Sequence, residues 1–412
     1  MNDLADPQRY NIPSALGVET VADMRGLRAL KADWDRLLAR DPEAGVFLSH
    51  AWLAPSFEAN PDRWRVFVVR DGGGRAICIF PTKNRVHWST TRKQFQTELE
   101  EGGRLAWGEY NGFICDPEWE GEALGALARA LARLPWKALS LRYEPTERRA
   151  KIFAEALGPA FTYQFRDYRI NKGTVDNLLS LQVPLASGFE TLMTERLSAN
   201  TRQKIRRHRR KLIESGTYRI TTSDGGDIEN DIARLLRNWV AKWSETKGRD
   251  KALRIAERYG RALLTAGAMD RLYLPVLWQD DRMLGALGHI VDTGRGSVHF
   301  LVAGRDPNAT DPAIGLLLHA HAIEWAAGAG FKTYDFGHGD EAYKTSFGPE
   351  YVRTHYLEVR RTGSAEVLDP VSLKPALRRL GQFVRAKQTD RVLEGAAQLA
   401  ALIDDADRTG PF

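Results

Sequence analysis

The chain has 412 residues, 43% of them hydrophobic, and a formal net charge of +6. That length and apolar content exclude a wholly disordered protein and allow two or three domains with separate cores. The mild positive charge permits an anionic partner without requiring one. The two cysteines, Cys78 and Cys115, sit in the apolar runs AICIF and GFICD, which argues against a disulfide scaffold and fits a reducing compartment.

The first residues, MNDLADPQRYN, lack a charged start followed by an apolar core, so no secretory leader is expected and residues 1–17 read as a loose tail. Helical spacing over Asp23–Arg40 puts Leu27, Leu30, Trp34, Leu37 and Leu38 on one face. Trp64–Val69 and Ala76–Lys83 read as a hairpin around Asp71-Gly72-Gly73-Gly74. Tyr110–Cys115 follows as a strand, Glu120–Leu134 as an Ala/Leu-rich helix and Ala138–Tyr143 as a strand. Leu185–Ser215 forms a basic helical bridge. The order then repeats: a strand at Tyr218–Thr222, helices at Ile228–Lys247 and Lys251–Ala266, and a hairpin of Leu272–Gln279 with Arg282–Val291. A strand at Val298–Val302, a helix at Ile314–Ala329 and a strand at Lys332–Phe336 complete it. Leu373–Ala406 reads as one or two terminal helices after Pro370 and Pro375. The apolar run Ile314–Phe331 carries His319, His321 and Glu324, so it reads as a buried helix rather than a membrane span.

The strand–loop–helix–strand unit near the end carries the most chemistry. The first turn of the helix after Asp311-Pro312 offers unpaired N–H groups and the positive end of a dipole, a setting for a pyrophosphate. The competing reading is a capped core helix, with Asp311 as N-cap and Pro312 first. Neither a P-loop nor a G-x-G-x-x-G signature is present. No H-E-x-x-H or paired C-x-x-C suggests a metal, and no G-x-S-x-G suggests a covalent route.

Asp311-Pro312-Ala313-Ile314-Gly315-Leu316-Leu317-Leu318, then Tyr334-Asp335-Phe336, then Gly339-Asp340-Glu341-Ala342-Tyr343-Lys344-Thr345-Ser346-Phe347-Gly348, resemble the C-terminal half of GNAT acyltransferases. More closely, these residues resemble the CelD-like branch found beside cellulose and exopolysaccharide genes. Leu197-Ser198-Ala199-Asn200-Thr201-Arg202 resembles that branch's S-x-N-x-R segment, and Phe47-Leu48-Ser49-His50-Ala51-Trp52-Leu53 its entry motif. Where many members carry Tyr-Ser-Pro-Gly before the helix, this chain has Thr310-Asp311-Pro312-Ala313-Ile314-Gly315. The duplicated arrangement also resembles Fem-type transferases. The implied fold is α/β: two tandem GNAT-like mixed-sheet domains, residues 18–184 and 217–362, joined by the basic bridge 185–216 and followed by a helical extension, 363–412.

The resemblance implies acyl-CoA, acetyl-CoA foremost, bound along Val302 and at Ala313, Ile314, Gly315 and Leu316, with direct transfer to an amine or hydroxyl of a sugar precursor for envelope or extracellular polysaccharide. Acyl transfer needs a proton acceptor, an oxyanion donor and a cleft for both substrates. Asp335, His338, Glu341, Tyr343 and Lys344 supply such groups. His338 or Glu341 is the base, Tyr343 protonates the leaving thiolate, and Lys344 stabilises charge; a polar turn with an Asp340–Lys344 surface pair is the plainer reading. In the basic run, Asn200, Arg202, Arg206 and Arg209 are candidates to hold an anionic sugar or lipid-linked glycan, and a solvated helix face is the plainer alternative. Peripheral association with membrane polysaccharide machinery and a cytoplasmic location follow from the same resemblance. Two other functions stay open. One is a Fem-like transferase using aminoacyl-tRNA, the only reading with nucleic acid. The other is a non-catalytic regulatory module whose basic terminal helices bind an acidic partner or a cyclic dinucleotide.

Overall fold

The computed structural model describes residues 16–185, 188–222, 227–309, 311–341, 343–363 and 367–409. Most of the expected tail, Thr310 and Ala342 lie outside the described residues.

The chain opens with β1 (Gly17–Val21), α1 (Met24–Ala29), α2 (Lys31–Arg40) and α3 (His50–Glu58), then β2 (Trp64–Arg70), β3 (Ala76–Ser89) and β4 (Gln94–Glu101). β5 (Ile114–Cys115), α4 (Glu120–Ala132), β6 (Ala138–Glu144), α5 (Glu147–Ala156) and β7 (Phe161–Phe165) follow. β8 (Arg169–Ile170) and β9 (Val175–Asp176) pair with each other, and β10 (Leu179–Pro184) comes next. The expected helix over Asp23–Arg40 is two helices meeting at Leu30, and the expected strand over Tyr110–Cys115 keeps only its last two residues. β3 runs on to Ser89 and forms a further hairpin with β4, because Trp88 and Phe95 are covered by Phe383 from the C-terminal helices.

After α6 (Phe189–Arg196) and α7 (Ala199–His208) the order recurs: β11 (Arg219–Thr222), α8 (Ile228–Lys247), α9 (Arg249–Ala268), β12 (Leu272–Tyr273), β13 (Pro275–Gln279), β14 (Arg282–Asp292) and β15 (Ser297–Arg305). α10 (Ala313–Gly328), β16 (Thr333–His338), β17 (Glu350–Arg353), β18 (His355–Arg361), α11 (Leu373–Arg385) and α12 (Thr389–Thr409) complete it. The fold is mixed α/β with two eight-stranded sheets. The first runs β1-β2-β3-β4-β6-β18-β7 with β5 on β3, and the second β11-β13-β14-β15-β16-β10-β17 with β12 on β14.

The sheets do not divide where the sequence halves do. β10, at the end of the expected first domain, lies in the second sheet between β16 and β17, with Val183 opposite Tyr334 and Leu181 opposite Tyr351. β18, at the end of the expected second domain, lies in the first sheet, with Leu357 opposite both Leu141 and Phe165. Leu181, Val183, Leu357 and Val359 are fully buried at period-two spacing. Each contributes about 1.5–3 kcal/mol by burial, so withdrawing either strand would cost a large part of a domain's stability. One hydrophobic core runs across the halves, joining Trp34, Phe47, Trp52 and Phe57 to Leu235, Trp239, Leu263 and Ile290. The two halves therefore hold each other in place. The C-terminal helices belong with the first sheet, where a buried Arg65–Asp369 ion pair of 2.8 Å fixes the approach to α11. Among the described residues no helix is long and apolar enough to cross a membrane.

Candidate active site

Each half contains a parallel strand pair that hydrogen-bonds briefly and then parts. In the second half β15 and β16 pair only from Ser297–Thr333 to His299–Asp335. The register of β15 against β14 then slips at Leu301, between Phe300 and Val302. Such a bulge bends the strand, and it comes where β15 leaves β16. Past the bulge one edge of β15 stays paired to β14, with Val302 opposite Gly288 and Gly304 opposite Ala286. The other edge borders a cavity of about 860 Å³, whose walls include residues 300–305 and 336–338.

The same cavity reaches the start of α10, where Ile314, Gly315 and Leu316 line it together with Pro312 and Arg305. Pro312 occupies the N-cap position, and the Asp311 carboxylate accepts the Ala313 N–H at 2.8 Å. Helical geometry leaves the next amides without intrahelical partners. A side chain at Gly315 would meet nothing within 4 Å, so the backbone there is open to the cavity. Val302, Ile314, Gly315 and Leu316 thus share one wall, while Ala313 is buried against Leu212 and Leu317 and is absent from the lining.

The turn after β16 supplies the opposite wall. Gly337 and Gly339 adopt φ of 71° and 98°, which a side chain would strain. His338, between them, stacks on Tyr143 of β6 at 4.2 Å and 18°. Its Nε2 meets the Glu109 backbone oxygen at 2.5 Å, and a carbonyl only accepts, so Nε2 carries the proton. Nδ1 is buried without a partner and, in the neutral ring, presents a lone pair. Lys344 is differently employed. Its ammonium donates to the carbonyls of His338 and Gly339 at 2.9 Å each and pairs with Glu341 at 2.9 Å. With two protons on backbone carbonyls and a carboxylate beside it, Lys344 clamps the turn, and its carboxylate partner is Glu341 rather than Asp340. Asp340 instead accepts the Asp176 N–H. Tyr343 and Glu341 line the cavity.

Asp335 does not reach it. It is 1% exposed and accepts from Ser180 at 2.6 Å, Tyr110 at 2.5 Å, His299 at 3.1 Å and the Gly337 N–H at 2.7 Å. Burial opposes its charge, yet the bonds from His299, Ser180 and Tyr110 hold its carboxyl far below the usual range. Burial likewise opposes charge on His299, and Asp335 outweighs it to raise the imidazole. Ser297 Oγ lies 2.8 Å from His299 Nε2, giving a Ser–His–Asp connectivity, but Ser297 is buried and forms no part of the cavity wall. The group ties β15, β16, β10 and the first-half loop together.

Sequence reasoning missed the first half's contribution. Trp107, Glu109 and Tyr143 line the cavity, as do Asn171 and Asn177. Trp107 Nε1 donates to Glu109 at 2.5 Å, the Glu109 carboxylate lies 3.8 Å from His338 Nε2, and Asn177 donates to the Tyr143 hydroxyl at 2.5 Å. Tyr143 adopts φ of 61°, unusual for a non-glycine residue inside a strand and invisible in sequence. From α8 and α9 come Trp239, Lys242, Trp243, Lys247 and Tyr259, recognisable beforehand only as helix faces.

The basic run lies elsewhere. Arg202 donates to the Thr194 and Leu197 carbonyls at 2.8 Å each, closing the end of α6. Arg206 faces Glu190 at 3.5 Å, and Arg209 pairs with Glu324 on α10. Asn200 is exposed, and none of the four lines the cavity. Spacings of three and four do bring the arginines to one side, but that side meets α6 and α10 rather than an open site.

Residues 199–345 match the family model of an acetyltransferase (GNAT) domain. The second half has a GNAT fold. The matched stretch contains β15, its bulge, α10 and the turn clamped by Lys344. Among solved structures, FemX is similar over 82% of this chain and 96% of its own, at 12% identity and a TM-score of 0.50. The C-terminal DUF2156 domain of a putative lysylphosphatidylglycerol synthetase from Agrobacterium fabrum is similar over 82% of this chain and 93% of its own, at 12% identity and 0.48. A tandem GNAT protein from the clavulanic acid biosynthesis pathway is similar over 85% of this chain and 100% of its own, at 12% identity and 0.44. At these identities the FemX likeness is one of fold alone. Curated proteins include no significant sequence match.

Proposed function

We propose that this chain is an acyltransferase that moves an acyl group, acetyl in the simplest case, from acyl-CoA to an amine or hydroxyl of a sugar used for envelope or extracellular polysaccharide. The observation that carries the reading is a single cavity joining three features: a free strand edge on β15, an open helix start at Gly315, and a histidine with an unpartnered nitrogen. The free edge suits the amide-bearing arm of a coenzyme A thioester, which can pair with it as an added strand does. The amides of Ile314, Gly315 and Leu316 suit its pyrophosphate.

His338 Nδ1 takes the proton from the acceptor, because Nε2–H is committed to Glu109 and fixes the tautomer. The Glu109 carboxylate, 3.8 Å from the same ring, favours the imidazolium that results. Backbone N–H groups on the open edge of β15 steady the charge that develops on the carbonyl oxygen. Tyr343, on the cavity wall, is the candidate to return a proton to the leaving sulfur. Asp335 and Lys344 keep this geometry without touching substrate.

The polysaccharide assignment, and a site of action at the cytoplasmic face of the membrane, rest on the CelD-like motifs. Arg202 and Arg209 are engaged away from the cavity, so the basic run does not bring RNA to the site. The test is thiol release from acetyl-CoA with amino sugars as acceptors. His338→Ala should lower kcat by about 10²–10⁴-fold while acetyl-CoA affinity stays at the parent value. Parent-rate turnover would move the base elsewhere, and failure of the parent protein to bind any acyl-CoA would end the reading.

A further inference from the structure

The cavity extends past the reacting groups to a wall that acyl-donor binding does not use. Trp107, from the first half, lies 4.2 Å from Tyr259 of α9 at 30°. Tyr259 meets Trp239 of α8 edge-on at 5.5 Å, and Trp239 lies 6.2 Å from Trp243. All four rings line the cavity. Lys242 and Lys247 line it too, with ammonium groups 5.3 Å and 4.6 Å from the Trp243 ring. Among the described residues no carboxylate lies within 4.0 Å of either lysine. The cavity's acids are engaged: Glu341 pairs with Lys344, and Glu109 accepts from Trp107. This end of the cavity therefore combines flat aromatic surfaces with two uncompensated positive charges.

The position of Lys247 separates it from the phosphate end of the donor site. Gly304, near the start of α10, is pressed against α8 so closely that a Cβ would sit 2.1 Å from the Leu235 carbonyl oxygen. Lys242 and Lys247 follow Leu235 by seven and twelve residues, hence about 10 and 18 Å farther along the helix at about 1.5 Å per residue. A pyrophosphate held by the α10 amides is out of reach of Lys247. What the wall suits is a ring to stack on the aromatics and an anion to meet the ammonium groups.

Resting on the acyl-transfer reading, we infer that the Trp107–Trp239–Trp243–Tyr259 wall is the acceptor subsite and that the acceptor is an anionic sugar, its charge a phosphate or a carboxylate. Trp107 comes from the loop that also carries Glu109, so one first-half segment both shapes the acceptor pocket and orients His338.

The experiment compares glucosamine, glucosamine 6-phosphate and glucuronic acid in the full-length protein. Binding is followed by calorimetry and, for the amines, thiol release from acetyl-CoA. The phosphorylated sugar should show a Kd or KM at least about tenfold below that of neutral glucosamine, and glucuronic acid should bind if charge alone is read. Lys242→Glu with Lys247→Glu should abolish that preference. The melting temperature and acetyl-CoA affinity should not move, because both lysines are peripheral to the cores and the donor site. Equal handling of neutral and anionic sugars, or no binding of any of them, overturns the subsite while acetyl-CoA binding leaves the acyl-transfer reading intact. Loss of acetyl-CoA affinity in the lysine variant also overturns it, by assigning the charges to the donor. Absence of acetyl-CoA binding in the parent overturns both.

Discussion

The two halves start from the same strand–helix–strand unit and end in opposite states. In the second, β15 bulges at Leu301, parts from β16 and leaves a cavity that runs to an open helix start. In the first, β4 and β6 also pair over only three positions, Glu98–Ala138 to Glu100–Ser140, but β4 keeps an unbroken register with β3. The gap beyond is filled by Asn111, fully buried, whose backbone N–H meets the Tyr143 carbonyl at 3.1 Å and whose amide meets Gly108 and Arg142 carbonyls at 3.3 Å. Gly103 and Gly108 make room for it; a Cβ on either would lie 2.0 or 2.3 Å from the Asn111 side-chain oxygen. The start of α4 is closed to anions as well, because Glu120 lies there, bound to Arg149 at 2.8 Å. The loop that plugs the first cleft carries Trp107 and Glu109 into the second. The closed copy has thus become part of the open copy's site.

That contrast breaks most sharply at the two helix starts. Gly315→Asp puts a carboxylate where a pyrophosphate would sit, and acetyl-CoA affinity should fall well over tenfold by calorimetry. Gly121→Asp, in equally open space on α4, should leave it unchanged. Equal losses would mean that donor binding is not confined to the second half.

A smaller effect is expected from alanine at two glycines. Gly112 has φ of 118°, and a Cβ there would lie 2.4–2.6 Å from the Glu144 carboxyl. Gly112→Ala should cost about 1–3 kcal/mol in urea denaturation and, by displacing the loop that holds Trp107 and Glu109, reduce turnover as well. Gly315→Ala should leave stability equal or slightly higher, since alanine favours helix and meets nothing. Unchanged stability in Gly112→Ala would show that the plug is loose.

A pH-dependent effect concerns the acids sealed into the first cleft. Burial raises Glu101 from 4.5 to about 8, and burial also raises Glu144. A carboxyl whose folded pKa exceeds its unfolded value keeps the proton longer in the fold. Its contribution is complete below about pH 4.5 and is lost as pH rises through 8. The loss approaches about 1.4 kcal/mol per pH unit in that window. Glu101→Gln should flatten the fall in stability between pH 5 and pH 8, measured by urea titration at both. An unaltered slope would mean that Glu101 is ionised in the fold.

What could be read from the sequence was local. Asp311-Pro312 announces the start of α10, and Asp71-Gly72-Gly73-Gly74 announces the β2–β3 turn, because capping and turn preferences act within a few residues. Partners of short strands are not encoded that way. Leu181 and Val183, or Leu357 and Val359, show period two but nothing of which sheet they enter, so the exchange of β10 and β18 was not foreseeable. The acid and lysine of the β16 turn were visible as a polar cluster, whereas the saturation of Asp335 depends on Tyr110, Ser180 and His299, far away in sequence. The spacing of the arginines in the basic bridge was visible, yet their acceptors, the carbonyls of α6 and Glu324, appear only in three dimensions.

The claim that one cleft is open and the other serves it is tested most directly by hydrogen exchange with saturating acetyl-CoA. The account predicts slowed amide exchange at residues 300–305 and 313–316, with residues 98–103 and 120–123 unchanged. Protection at 120–123, alone or alongside 313–316, would contradict it.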